Sequence, residues 1–453
     1  MTSFRGGLIV MTALVVGGSL PAAAQEAPRN CFGEEPTIVG TSGDDRLIGT
    51  AERDVISALE GDDVVEGRGG PDLICGHQGN DRIRGGDQND FIDAGADFDF
   101  AAGQGGNDRL EGGPGGEKEL SGGSGDDVLR DEVGAEYMTG GPGNDLLMGG
   151  NEGDTLEPGS GDDIVKGGST GGDCDCDTIT YASWNRSVTV DLERGIARGL
   201  GRDEIHDVEN IRGSDRSDVL RGSNEYNFID GGGGADRIFA RKGADDLRGG
   251  PGHDRYDGGA GRDAIDFRAS PSGMEVNLSK ETATGWGRDT LISVQHVSGS
   301  EHDDKLVGDA KKNDLSAGAG DDLVYGKGNR DRLYGDRGND ELRGNGGNDK
   351  VVDDHGRDLL QGDAGDDRLE ENTGGPGLLQ GGPGDDRIDA GPGNDRLQGG
   401  GGNDNLSGRD GDDLLQGRDG NDDLNGGDGT DDLRGGAGRD TCTNGEETSG
   451  CET

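Results

Sequence analysis

An aspartate recurs at every ninth residue of this chain, and Asp45, Asp54, Asp63, Asp72, Asp81, Asp90, Asp99 and Asp108 open the series without a slip. Carboxylates at a fixed interval can work in pairs as acid and base on a glycoside, orient the histidine of a nucleophilic triad, or hold a hard cation through oxygen. The remaining residues decide among these. The six histidines (His77, His206, His253, His296, His302, His355) are scattered and form no H-E-x-x-H. The acids fall on the nine-residue frame itself, which favours cation binding over paired-acid catalysis.

The frame also carries one apolar side chain two residues after nearly every aspartate: Leu47, Ile56, Val65, Ile74, Ile83, Ile92, Ala101 and Leu110. Glycines crowd the stretch before each aspartate. After a nineteen-residue step the series resumes at Asp127 and continues through Asp145, Asp154 and Asp163. A second block holds Asp218, Asp236, Asp245, Asp254 and Asp263, with Asn227 in the missing slot. A third runs Asp304, Asn313, Asp322, Asp331, Asp340, Asp349, Asp358 and Asp367, then steps by nineteen to Asp386, Asp395, Asp404, Asp413, Asp422, Asp431 and Asp440. The best-formed unit, GGPGNDLLM from Gly140 to Met148, matches the nonapeptide G-G-x-G-x-D-x-U-x. On these residues the chain resembles the RTX (hemolysin-type) calcium-binding repeat family, and the resemblance covers most of it.

That resemblance implies an all-β fold: a parallel β-roll or β-helix solenoid built from tandem Gly/Asp-rich nonapeptides. Six residues of each nonad would form a turn and three a short strand, and two nonads would make one coil. Residues i and i+18 then stack, Asp386 over Asp404 and Asp395 over Asp413. It also implies Ca2+ as the cofactor, held by paired carboxylates and turn carbonyls. The implied ligands are Asp145, Asp163, Asp236, Asp245, Asp254, Asp263, Asp322, Asp331, Asp340, Asp349, Asp386, Asp395, Asp404, Asp413, Asp422, Asp431 and Asp440. Glycines at the first and fourth positions would shape the turn. Glu52 replaces a fourth glycine, and the stretches Glu117 to Leu120 and Glu371 to Leu378 fall out of frame, so metal binding is in doubt there.

Composition agrees with a repeat rather than with ordinary globular cores. Of 453 residues 97 are glycine, 28% are hydrophobic and 4% aromatic. A formal charge of -50 excludes nucleic acid as a partner, since that needs a basic footprint. Low hydrophobicity with high net charge ordinarily predicts disorder. A disordered tract, however, has no reason to keep an apolar residue two places after each aspartate.

Residues 1–24 read as a signal peptide, with Arg5, an apolar run from Leu8 to Leu20 and an A-x-A site at Ala22–Ala24. An N-terminal cap (25–39) follows, then repeat array 1 (40–166), a connecting segment (167–217), array 2 (218–266), a second connecting segment (267–303), array 3 (304–443) and a tail (444–453). The two connecting segments answer each other 86 positions apart, Tyr181 to Phe267, Val190 to Val276 and Asp203 to Asp289. Val188, Val190 and Leu192 alternate with polar residues, as a strand does. Six cysteines in an exported chain imply disulfides. Cys31 with Cys75 and Cys442 with Cys451 are the expected pairs, although other connectivities exist. Cys174 and Cys176, in DCDCD, suit a local or intermolecular bridge.

These observations predict a secreted, extracellular, non-enzymatic calcium-binding protein of structural, adhesive or matrix type. No segment after the leader suits membrane insertion, and the surface or matrix partner is left unnamed. Two alternatives stay open: an extracellular enzyme acting on polysaccharide along one face, with Tyr181, Trp184 and Trp286 as its thin candidates, and a secreted toxin.

Overall fold

The computed structural model describes residues 30–115, 118–168, 176–373 and 375–451. The signal peptide expected at 1–24 and Cys174 lie outside these residues. The chain is an all-β parallel solenoid of about 22 turns. Helical backbone among the described residues is confined to two single 3-10 turns, Leu192–Arg194 and Leu278–Lys280.

The nine-residue period dictates this architecture. Each nonad crosses the solenoid once, so a strand pairs with the one two nonads on. Leu397 pairs with Leu415 and Leu415 with Leu433 in one sheet. Ile388 pairs with Leu406 and Leu406 with Leu424 in the other. The apolar residue of every nonad therefore stacks on its own kind, and the two stacks face each other as one continuous core. Such a column supplies the burial that a single nonad cannot reach alone.

Strands run longer than three residues in much of the first and third repeat arrays. Arg396–Gly401, Asn405–Asp410 and Leu414–Asp419 are each six residues. Pairing continues into the turn, with Gly382 opposite Gly400 and Pro383 opposite Gly401. Glycine makes this possible at the fourth position: Gly384 has φ 147°, and a Cβ there would run into the carbonyl of Gly365. The two nineteen-residue steps are absorbed without breaking the core. Ala101 pairs with Leu120 and Leu110 with Leu129; later Leu360 pairs with Leu379 and Leu369 with Ile388.

The connecting segments depart from the parallel pattern. Ile196–Arg198 runs antiparallel between Thr189–Asp191 and Arg202–His206, and Thr282–Thr284 does the same between Glu275–Asn277 and Arg288–Ile292. One sheet gains extra strands while the other passes directly from Thr178–Thr180 to Asn210–Arg212. The Asp191 side chain caps the first reversal by accepting from the Arg194 N–H, and Asn277 does so for Lys280 in the second. Tyr181, Trp184 and Val188 bury against this turn, with the Tyr181 and Trp184 rings edge to face at 4.8 Å.

Both expected disulfides close. Cys31 and Cys75 lie 5.6 Å apart at Cα, and Cys442 and Cys451 5.9 Å apart.

Candidate metal centre

The sixth residue of each nonad sits where the turn enters a strand, so stacking carries the aspartates into two columns. One holds Asp145, Asp163, Asp236, Asp254, Asp322, Asp340, Asp395, Asp413 and Asp431. The other holds Asp245, Asp263, Asp331, Asp349, Asp386, Asp404, Asp422 and Asp440. Successive nonads alternate between columns, so Asp395 and Asp404 are not brought together, whereas Asp386 and Asp404 are. All are buried.

Within a column the carboxylates are held by backbone. Asp386 N–H donates to Asp404 Oδ1 at 2.9 Å, Asp404 N–H to Asp422 Oδ1 at 2.9 Å, and Asp422 N–H to Asp440 Oδ1 at 2.9 Å. The other column repeats this from Asp395 to Asp413 at 2.8 Å and on to Asp431 at 2.9 Å. Each Oδ1 is thus fixed by the coil before it. Oδ2 of every predicted aspartate is buried and meets no hydrogen-bond donor of the protein. A buried carboxylate oxygen without a partner is costly once, and here the cost recurs along a column.

Electrostatics reports the same tension. Burial, aided by the aspartate charges above and below, pushes the Asp236 carboxyl up to about 8 and those of Asp322 and Asp386 to about 7. Asp404 and Asp413 rise to about 6 for the same reason. Only a proton or a cation relieves such a stack.

The donor set fits calcium. A Cβ added to Gly344 would meet Gly362 O at 2.7 Å and Asp349 Oδ2, so a turn carbonyl and the unpartnered carboxylate oxygen face one gap. Gly408 stands likewise against Gly426 O at 2.6 Å and Asp413 Oδ2. Close approach therefore explains glycine at the first position. The atoms converging on the gap are carboxylate and carbonyl oxygens, the set a hard cation of six to eight ligands prefers, and magnesium would demand a stricter octahedron.

Several column members lie outside the predicted set. Asp163 N–H points to Asp203 Oδ1 at 3.5 Å, and Asp254 N–H donates to Asp289 Oδ1 at 2.9 Å, ending one column at each antiparallel insertion; beyond it the column resumes with Asp218 and Asp304, whose Oδ1 atoms accept from the Val188 and Met274 N–H groups. Glu209 and Gln295 take the acceptor role in the other, from Asp177 and Asp263 at 2.9 Å each. The 86-residue repeat pairs both couples and could have found them.

Where the frame slips, the column changes chemistry. The residue paired beside Asp99 is Lys118, whose backbone lies between Asp99 and Tyr137. Its ammonium donates to Gly113 O at 3.2 Å and sits 3.9 Å from Asp131 Oδ2, both side chains fully buried. Asp131 occupies a first-position slot, and Glu136, next in the column, is pushed up to about 10 by burial and by Asp131 and Asp154. Further on, Gly377 takes the sixth position and its N–H donates to Asp395 Oδ1 at 2.8 Å. A Cβ on Gly377 would collide with the Glu371 carboxylate, which fills the place of the missing aspartate. Counting in nines reaches Glu136; the other exchanges depend on coil perimeter.

The aromatic residues named for a sugar-binding face pack inward to different degrees. Tyr181 is 1% exposed and Trp184 7%, and Trp286 packs against the core.

A family model described as the RTX calcium-binding nonapeptide repeat matches residues 39–74, 76–101, 89–116, 119–147, 212–247, 235–265, 298–333, 325–352, 343–370, 373–406, 380–415 and 407–442. The unmatched stretches include both antiparallel insertions. No curated protein matches the chain.

Proposed function

The chain belongs to the RTX calcium-binding nonapeptide repeat family, and from that premise we propose that it is exported and that calcium at its aspartate columns drives the solenoid to fold. A calcium-binding repeat protein is what the family and fold establish. The finer reading assigns the sixth-position aspartates as carboxylate ligands and gives the folded array a structural, adhesive or matrix role outside the cell. The observation that carries it is the runs of buried Oδ2 atoms without donors, as from Asp322 to Asp358 in one column and from Asp386 to Asp440 in the other. Calcium bridging those atoms links binding to folding, because the site exists only when coils are stacked. The two disulfides suit an oxidising compartment.

Calcium titration into the EDTA-treated chain, followed by far-UV circular dichroism and hydrodynamic radius, tests this reading. Cooperative gain of β signal with compaction is expected, with no response to magnesium. An unchanged calcium midpoint after Asp404→Ala with Asp422→Ala would remove the sixth-position assignment. A chain already compact in EDTA would remove calcium-driven folding.

A further inference from the structure

Asp353 breaks the rule that the first position of a nonad is small. It stands five residues before Asp358 and pairs in register with Glu371 one coil on. Only 1% of it is exposed. Its Oδ1 accepts from the Asp354 N–H at 2.7 Å, and its buried Oδ2 has no donor. That second oxygen is aimed into the column. A Cβ on Gly335 would meet both Asp353 Oδ2 and Asp340 Oδ2, the latter at 2.6 Å. Asp340 and Asp358 are fixed in the ordinary way, through Oδ1, by the Asp322 N–H at 2.7 Å and the Asp340 N–H at 3.0 Å. Each leaves Oδ2 buried and without a donor. One carboxylate oxygen from each of Asp340, Asp353 and Asp358 thus lies within 4.8 Å of the others, the one such triad of acid, histidine or cysteine ligand atoms among the described residues.

We propose that Asp340, Asp353 and Asp358 form a three-carboxylate site that binds a single calcium ion more tightly than the two-carboxylate steps of the same columns. The inference rests on the columns being calcium sites and goes beyond it by ranking them. Affinity in oxygen-ligand sites follows carboxylate count and rigidity; here the count exceeds that of the ordinary step, and each carboxylate is held through Oδ1 as it is there. The three charges share a buried pocket and repel most strongly when no cation is present. Once these coils stack, backbone N–H groups hold each carboxylate by its other oxygen, so the three free oxygens face one point without further rearrangement. As calcium rises this step fills first, and the ordered coil becomes the template on which its neighbours stack.

The test uses the full chain, stripped of metal with EDTA and desalted, and titrated with calcium against a chromophoric chelator. Wild type should show one equivalent bound at least about tenfold more tightly than the rest. Asp353→Gly restores the residue the repeat normally carries. At saturating calcium it should give the wild-type circular dichroism spectrum and lose only the tight equivalent. Asp353→Asn, which keeps the size and removes the charge, should lose it too. The assignment is overturned if wild type has no tight equivalent, or if both variants retain it. If neither wild type nor variants bind calcium at all, the reading of the columns fails, and this site with it.

Discussion

Two regions of the solenoid place an acid where the repeat has its first glycine, and they settle the added charge in opposite ways. At Asp131 the neighbouring column position is Lys118, whose buried ammonium lies 3.9 Å from the carboxylate. At Asp353 the column positions are Asp340 and Asp358, and three carboxylates converge. The first region carries its cation on a side chain; the second, on the proposal above, takes one from solution. The difference teaches that what a coil needs at this position is positive charge, and that a metal ion is one way of supplying it.

Removing calcium should separate the two most. In EDTA, amide hydrogen exchange across 335–371 is expected to approach the unfolded rate, while 100–137 keeps the greatest protection. Equal loss in both regions would break the equivalence between ammonium and metal.

Lys118→Met should follow in size. Leaving Asp131 and Glu136 buried beside an apolar side chain should cost about 3–5 kcal/mol. The denaturant midpoint at saturating calcium would show it, and adding Asp131→Gly should recover most of the loss.

Acid provides a third comparison. In the metal-free chain the folded carboxyls of Asp236, Asp322 and Asp404 sit at about 8, 7 and 6, above the ordinary 3.8. A raised folded value means the stabilisation is full below the ordinary value and fades as pH climbs through the raised ones. Metal-free chain should therefore gain β signal when taken from about pH 8 to about pH 5. Calcium-loaded chain should respond in reverse, its affinity falling as protons compete for the same oxygens. Loss of β signal on acidifying the metal-free chain would contradict the buried columns.

The smallest effect is expected at Glu371 and Gly377. Gly377→Asp alone should cost about 1–3 kcal/mol through the clash with the Glu371 carboxylate. Combined with Glu371→Gly it should restore an ordinary step, giving a positive coupling in a double-mutant cycle of thermal stability. Additive losses would mean that Glu371 does not stand in for the missing aspartate.

The aspartate columns of this molecule were largely legible beforehand because they are local in period. Asp386 and Asp404 are two nonads apart, and any coil of two nonads must stack them. The apolar column from Leu397 to Leu433 follows from the same arithmetic; the two clamping disulfides were expected instead from where their cysteines lie, around the first repeats and the last turn. Glu371 and Gly377 were visible only as a break in frame, and Lys118 only as one residue among others out of register.

By itself the sequence determined the repeat, the β-solenoid, the buried apolar stacks and the aspartates that line it, since a fixed spacing on a fixed coil leaves no freedom. Tertiary structure alone decided which carboxylates share a site. The antiparallel insertions at Ile196–Arg198 and Thr282–Thr284 reset how far apart in the chain two stacked residues are, so Asp254 meets Asp289 rather than the residue eighteen on. The pairing of Asp353 with Asp340, thirteen residues earlier in the chain, crosses from the first position of one nonad to the sixth of another. Stacking sets that contact, as it sets the equal step from Lys118 to Asp131; backbone hydrogen bonds lock the coils in register and leave one side of each carboxylate facing the same buried gap.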